Sequence, residues 1–360
     1  MFKNFKSVNK CAYGRGSFAK LGEIISEKRH ENQGYFLFLV DDYFQDKEEF
    51  KARIPAESND VVEFIYTSGD EPKTSQIDEL RDRFLSQKGL PAGVIGIGGG
   101  SIMDIAKALS LMFTNEGSSV QYQGLNLIKK PGIYHVGIPT ISGTGAEVSM
   151  TAVLTGPTKK LGLKCDWTVF DQIVLDPDLI ASVPRNEWFY TGMDTYIHCV
   201  ESMNGRLKNT FSEAYGYKAI ELCKDVYIND GYGQTAINDE KLMVASYFGG
   251  LSLTYSEVGV CHALSYGLSY VFGTRHCFAN CVIFPHLGEY YPEGVKEFNE
   301  MVEKNNIFIP QNLSKDWTDA EIEKMIDVCW ALTHMWKHAI GDDWEQKLTR
   351  QKLKELYLKM

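Results

Sequence analysis

The sequence predicts two domains: an α/β domain built on a parallel sheet over residues 1–180, and an all-α domain over residues 181–360. Three observations predict it. A chain of 360 residues exceeds what one small hydrophobic core organises. In the first half, short β-branched or aromatic runs alternate with helical patterns, as parallel sheets with crossover helices require. Beyond about Ser182 only helical periodicity remains.

Taken in order, Tyr35–Val40 is a continuous apolar strand ending in Asp41-Asp42, and Val61–Tyr66 is a second strand. Ile77, Leu80 and Phe84 recur at helical spacing in Ser75–Gln87, and Gly93–Ile97 is a third strand. A helix with apolar positions Ile105, Ala108, Leu109 and Met112 follows, and then a strand over Gly132–Ile138 that ends at Pro139. Thr151–Asp166 carries Gly-Pro and Lys-Lys signals between apolar pieces, as a hairpin would. The boundary falls near residue 180, around the turn-like Asp176-Pro177-Asp178. Helices are then expected over Val183–Arg206, Thr210–Tyr227, Asp239–Tyr255, Val258–Tyr270, Asp319–His338 and Trp344–Leu358.

A net charge of −10, with no clustered Lys/Arg face, argues against a nucleic-acid partner and, more weakly, against an anionic membrane surface. Met1–Asn9 lacks the apolar run of a signal peptide, and no stretch approaches the roughly 20 apolar residues of a transmembrane helix. Eight cysteines are scattered without a Cys-x-x-Cys pair, as reduced thiols of a cytoplasmic protein would be. Cys199 and Cys261 adjoin the histidines discussed next, and a small apolar packing role accounts for both.

Chemistry concentrates in two places. Asp194 and His198, four residues apart, share one helix face, and His262 and His276 follow from separate segments. One carboxylate with three imidazoles suits a divalent transition metal such as Fe²⁺ or Zn²⁺ and leaves a position for a substrate oxygen. Each histidine taken alone reads as an ordinary core or surface residue, as His30, His135, His286, His334 and His338 do. The second place is Gly96-Ile97-Gly98-Gly99-Gly100-Ser101, which follows a buried strand and opens a helix. Its backbone N–H groups and the helix N-terminus suit a pyrophosphate. Ser101-x-x-Asp104 equally fits an N-cap with an acidic third residue, needing no ligand. The acids Asp41-Asp42 precede these glycines by more than fifty residues, unlike the usual dinucleotide fingerprint. An acid at that strand end suits ribose hydroxyls and repels a 2′-phosphate, favouring NAD over NADP; a solvated turn is the alternative.

Together, Gly98-Gly99-Gly100-Ser101-x-x-Asp104, Pro139-Thr140-Ile141-Ser142-Gly143-Thr144-Gly145-Ala146-Glu147-Val148, Gly192-Met193-Asp194-x-x-x-His198-x-x-Glu201, Cys261-His262 and Arg275-His276 resemble the iron-containing (group III) alcohol dehydrogenases, in order along nearly the whole chain. The resemblance implies an N-terminal Rossmann-like domain and a C-terminal helical domain, the dehydroquinate synthase-like fold, with metal and nicotinamide between them. It implies metal ligation by Asp194, His198, His262 and His276, pyrophosphate held by Gly98, Gly99, Gly100 and Ser101, the adenosine ribose at Asp42, and further nucleotide contacts from Thr140, Thr144 and Lys160. Asp104 would also face the cofactor. The implied cofactors are NAD and one divalent metal, Fe²⁺ or Zn²⁺, and the implied assembly is a homodimer.

Many members of the family carry a histidine four residues after the third ligand, proposed to relay a proton, where this chain has Tyr266. A phenol of unperturbed pKa about 10 is a poorer base than imidazole at neutral pH. Tyr266 orients a water, the cofactor ribose relays the proton, or the substrate occupies that place. Within the family, Cys261–Tyr270 and Tyr290-Tyr291-Pro292-x-Gly294-Val295-x-x-Phe298 look most like members that oxidise the terminal hydroxyl of an eight-carbon acidic sugar. Arg275 is the candidate cation for the sugar carboxylate, with a structural ion pair or a cofactor contact as alternatives. The expected activity is oxidation of a primary alcohol to an aldehyde. The rivals are a short-chain alcohol or lactaldehyde dehydrogenase, a dehydroquinate synthase-like lyase, and a non-enzymatic metal or nucleotide sensor.

Overall fold

The computed structural model describes residues 5–31, 34–67 and 71–360. Met1–Asn4, part of the segment read above for a signal peptide, lie outside the described residues. The chain forms two compact units, Met1–Ile141 with Ala146–Ser182, and Ser142–Gly145 with Val183–Met360.

In the first unit the order is β1 (Lys10–Tyr13), α1 (Leu21–Glu31), β2 (Phe36–Asp41), α2 (Glu48–Lys51), β3 (Val61–Ile65), α3 (Thr74–Lys88), β4 (Gly93–Gly98), α4 (Gly100–Met112), β5 (Gly124–Leu125), β6 (Tyr134–Pro139), β7 (Thr151–Thr155), β8 (Lys160–Lys164) and β9 (Gln172–Leu175). Six of these strands form one sheet in the order β1-β9-β6-β4-β2-β3, with every pairing parallel. β4 is buried along its whole length, which is why it reads as an unbroken apolar and glycine run. α4 packs closely on it: a Cβ at Gly98 would lie 2.5 Å from Ile102 Cγ1. β7 and β8 form the expected antiparallel hairpin in a separate three-stranded sheet with β5.

The direction of winding reverses between β2 and β4, because β3 is added outside β2 and β4 on its inner side. Adjacent strand ends at such a switch point leave a crevice at their carboxyl ends, where open α/β sheets bind ligands. The residues at those two ends are Asp41 and Gly98.

The second unit contains helices: α5 (Arg185–Asn204), α6 (Thr210–Tyr227), α7 (Ala236–Tyr255), α8 (Val260–Phe272), α9 (His276–Ile283), α10 (Pro292–Lys304), α11 (Asp319–Trp330), α12 (Thr333–Ala339), α13 (Trp344–Lys347) and α14 (Arg350–Tyr357). The fold is thus the expected α/β domain followed by a helical one. α5 is buried on every side from Trp188 to Ser202, as the central helix of a bundle must be. Gly192 lets α6 approach it, since a Cβ there would meet Tyr227 Oη at 1.8 Å.

The structure corrects the elements in several places. The single helix expected over Asp319–His338 is two, α11 and α12, because the Trp336 indole donates to the Cys329 carbonyl at 2.7 Å and closes the first helix. Trp344–Leu358 also breaks, as Thr349 caps a new helix by accepting from Lys352 N. β1, α1, α2, β5, β9, α9 and α10 carry no expectation above: β1 is an exposed four-residue edge strand, α2, β5, β9 and α9 are short, and α1 buries only Leu21 and Ile25, whereas α10 buries Val295, Phe298 and Met301 at three-residue spacing, a helical period that the sequence does carry.

Candidate metal centre

Asp194 and His198 project from one face of α5, His262 from α8 and His276 from the first turn of α9. Asp194 is fully buried, and three imidazoles surround one of its oxygens: His198 Nε2, His262 Nε2 and His276 Nε2 lie 3.8, 3.4 and 3.7 Å from Asp194 Oδ1. One donor atom from each of the four residues lies within 4.8 Å of all the others. Donors held about 2.1 Å from a common tetrahedral centre stand about 3.4 Å apart, so the spacing fits a divalent cation.

The electrostatics point the same way. Burial alone would raise the Asp194 pKa, yet the imidazoles of His198, His276 and His262 hold the carboxyl well below its usual range. Burial lowers the His198 pKa to about 4, leaving that ring neutral and its lone pair available. Burial would also lower His262, but the carboxylates of Glu201 and Asp194 outweigh it and raise the pKa to about 9. A cation held by these groups would take over the role that a proton plays among them.

Behind the donors lies a supporting layer. Glu201, one turn beyond His198 on α5, pairs through Oε2 with His262 Nδ1, accepts the Cys261 N–H at 2.6 Å and receives Tyr291 Oη at 3.3 Å. This fixes the ring orientation of His262 and presents Nε2 toward Asp194, the carboxylate–histidine arrangement typical of metal sites. His338, read as structural, bonds the Glu201 carbonyl through Nε2 at 3.0 Å. Asn280, one turn beyond His276 on α9, donates to Asp194 Oδ1 at 2.7 Å, and Cys277 Sγ lies 3.5 Å from Asp194 Oδ2. Cys199 and Cys261 are buried in the helical packing, and none of the eight cysteines forms a disulfide among the described residues. Sequence reasoning named Glu201 only as part of a motif and missed Asn280 and Cys277. Asn280 repeats the four-residue spacing from a ligand that marked Asp194 and His198, which is the one signal that pointed to it.

Tyr266, one turn after His262, is buried with its ring edge-on to His276 at 5.7 Å between centroids. Arg275 precedes His276 as the cap residue of α9, and its half-exposed guanidinium pairs with Glu187 at 3.1 Å. The ion pair is therefore one contact that the structure gives this arginine.

The other candidates fall on the first unit, apart from Thr144 in the four-residue segment grouped with the second. Gly98, Gly99, Gly100 and Ser101 form the turn from β4 into α4. The N-cap of α4 is Gly99, without a side-chain cap, so Ser101 does not cap the helix with Asp104 as its acidic partner. The reason is register: the helix already begins at Gly100, placing Ser101 inside it. Asp41 accepts from Tyr43 N at 3.0 Å, from Thr67 Oγ1 at 3.0 Å and from the Gly99 N–H, tying the end of β2 to the glycine turn. Asp42 Oδ1 accepts from Thr67 N at 3.1 Å. Thr140 is buried and donates its N–H to the Gly98 carbonyl at 3.0 Å. Asp104 accepts the Val153 N–H of β7, and burial raises its pKa to about 7. Lys160 is buried with its ammonium 3.2 Å from Glu71.

Comparison with known proteins gives the same family twice. Residues 9–177 match the family described as iron-containing alcohol dehydrogenase, and residues 188–359 match the C-terminal domain of the Fe-containing alcohol dehydrogenase family. The chain is 32% identical over 177 residues to a sulfoacetaldehyde reductase of Bilophila wadsworthia, covering 48% of this chain and 45% of that protein. It is 28% identical over 291 residues to an NAD-dependent methanol dehydrogenase of Bacillus methanolicus, covering 79% and 74%. The match to several curated relatives thus spans about half of their length. In fold, a 1,3-propanediol oxidoreductase superposes with a TM-score of 0.83 at 20% identity over 99% of both chains. A sulfoacetaldehyde reductase from Bifidobacterium kashiwanohense in complex with NAD+ superposes at 0.79 and 19% identity over 99% of this chain and 98% of that one.

Proposed function

Because this chain belongs to the iron-containing alcohol dehydrogenase family, we propose that it is a metal- and NAD-dependent oxidoreductase that converts a primary alcohol to an aldehyde, returning NADH and a proton. The observation that carries the reading is the four-donor cluster of Asp194, His198, His262 and His276 around a fully buried carboxylate. A cation in that cluster would stabilise negative charge developing on the substrate oxygen, while nicotinamide would accept the hydride.

The residues of the chain have their own tasks. Glu201 holds His262 in one tautomer, and the buried α5 holds Asp194 and His198 at fixed spacing. In the first unit, the glycine turn at the switch point offers N–H groups for a pyrophosphate, with Asp42 beside it for a ribose. Ser101, Asp104, Thr140, Thr144 and Lys160 complete the proposed nucleotide set.

For substrate, we favour the C8 hydroxyl of 3-deoxy-D-manno-octulosonate, oxidised ahead of amino transfer in the synthesis of a modified lipopolysaccharide, and place the enzyme in the cytoplasm as a homodimer. The support is the likeness of Cys261–Tyr270 and Tyr290–Phe298 to the corresponding oxidase. Sulfoacetaldehyde reductase among the relatives adds a precedent for an anionic substrate. The second reading is a short-chain alcohol dehydrogenase, favoured by the methanol dehydrogenase match over 79% of this chain.

The test is a substrate screen of Fe²⁺- and Zn²⁺-reconstituted protein, following NADH absorbance and oxygen uptake together, with Asp194→Ala in parallel. Turnover of the acidic sugar with NADH formed, and its loss in the variant along with the metal, is the expected result. Turnover restricted to short alcohols selects the second reading. Equal metal occupancy in Asp194→Ala overturns the metal centre.

A further inference from the structure

We propose that Asn280 is a positioning residue that closes one face of the metal centre and holds three of its four donors in place. The inference rests on the metal assignment above. Asn280 is fully buried on α9, and its Nδ2 lies 2.7 Å from Asp194 Oδ1, 3.2 Å from His262 Nε2 and 3.3 Å from His276 Nε2. One nitrogen therefore stands over the triangle formed by three donor atoms. His198 supplies the fourth.

The orientation of the amide follows from its neighbours. Asp194 Oδ1 belongs to an ionised carboxylate and can only accept, and it lies 2.7 Å from the amide nitrogen, so the NH₂ group belongs on this side. The carbonyl end lies on the other side, 3.5 Å from Cys261 Sγ. An amide nitrogen brings protons and no lone pair for a cation. It cannot serve as a ligand, and it denies the Asp194–His262–His276 face to water or substrate. Entry is left to the faces that include His198.

Two consequences follow. Asn280 engages the same oxygen of Asp194 that faces the three imidazoles, which fixes that carboxylate's rotation, with Cys277 Sγ beside the other oxygen. Its partial positive charge also keeps the donor atoms gathered before a cation arrives, so less ordering is left for binding.

Cobalt-loaded full-length protein tests this, because the visible bands of Co²⁺ are intense when it is four-coordinate and weak when further ligands enter. Asn280→Ala is expected to weaken Co²⁺ binding by about 10- to 100-fold, the range for loss of an outer partner, and to weaken the bands as water reaches the opened face. Asn280→Asp keeps the size but exchanges donor protons for a carboxylate oxygen, so its spectrum should change while binding is retained. If Asn280→Ala does not fold, Asn280→Asp decides. Unchanged spectra and affinity overturn the inference, as does an exogenous ligand on that face in a crystal structure of the unmodified cobalt-loaded protein. Failure of the unmodified protein to bind Co²⁺ through Asp194 overturns the metal assignment, and the inference with it.

Discussion

Asp194 shows at the scale of one residue why the donor set was legible. A carboxylate with no accessible surface requires compensating charge, and here the compensating groups are imidazoles that themselves bind cations. Tyr266 is the residue where sequence left three roles open. Its ring packs edge-on against His276, and the structure gives it a packing contact beside a donor. We therefore expect Tyr266→Phe to lower turnover by less than about tenfold with unchanged metal content, the change appearing mainly in KM. A loss of about 10²- to 10⁴-fold in kcat at constant metal, the range of a general acid–base group, would assign the phenol to proton relay instead.

At the scale of elements, the long periodic helices were legible and the short supporting ones were not. Thr210–Tyr227 is one helix from end to end, whereas α9, eight residues long, carries a donor, its neighbouring thiol and Asn280 without an extended apolar pattern. The β2 end shows a division of labour invisible in the pair Asp41-Asp42. Asp41 is committed to the turn through Tyr43, Thr67 and Gly99, whereas Asp42 accepts from Thr67 N and is the acid proposed above to read a ribose. Replacing Asp42 by Gly should raise the ratio of kcat/KM for NADP over NAD by roughly tenfold or more, by removing a carboxylate that repels a 2′-phosphate. Steady-state kinetics with both cofactors measure it, and an unchanged ratio refutes the assignment.

For the whole molecule, the first unit carries a buried charge cluster that composition does not reveal. Lys107 is fully buried; its ammonium bonds the carbonyls of Ala146, Ser149 and Thr151 and the Ser149 hydroxyl. Nearby Glu147 is buried, and burial raises its pKa from 4.5 to about 7. A carboxyl raised on folding stabilises the folded chain fully below pH 4.5, and that contribution is lost as pH rises to about 7, amounting to about 3 kcal/mol. Glu147→Gln does not titrate. Its stability relative to the unmodified protein should therefore improve by about 2 kcal/mol between pH 5 and pH 8 in urea unfolding. An equal difference at both values would show that Glu147 is not protonated in the folded state at neutral pH.

The sequence by itself determined the class of each half, most strands of the parallel sheet, the long helices and the candidate donors, because strand and helix periods and donor spacing on one helix are local properties. Tertiary structure alone decided which groups surround those donors. Glu201 reaches His262 across 61 positions, Asn280 reaches Asp194 across 86, and Trp336 closes α11 by a bond to Cys329. It also decided that the cap of α4 is Gly99 and that Arg275 pairs with Glu187. Such contacts depend on which helix faces pack together, and no period in a linear chain encodes that.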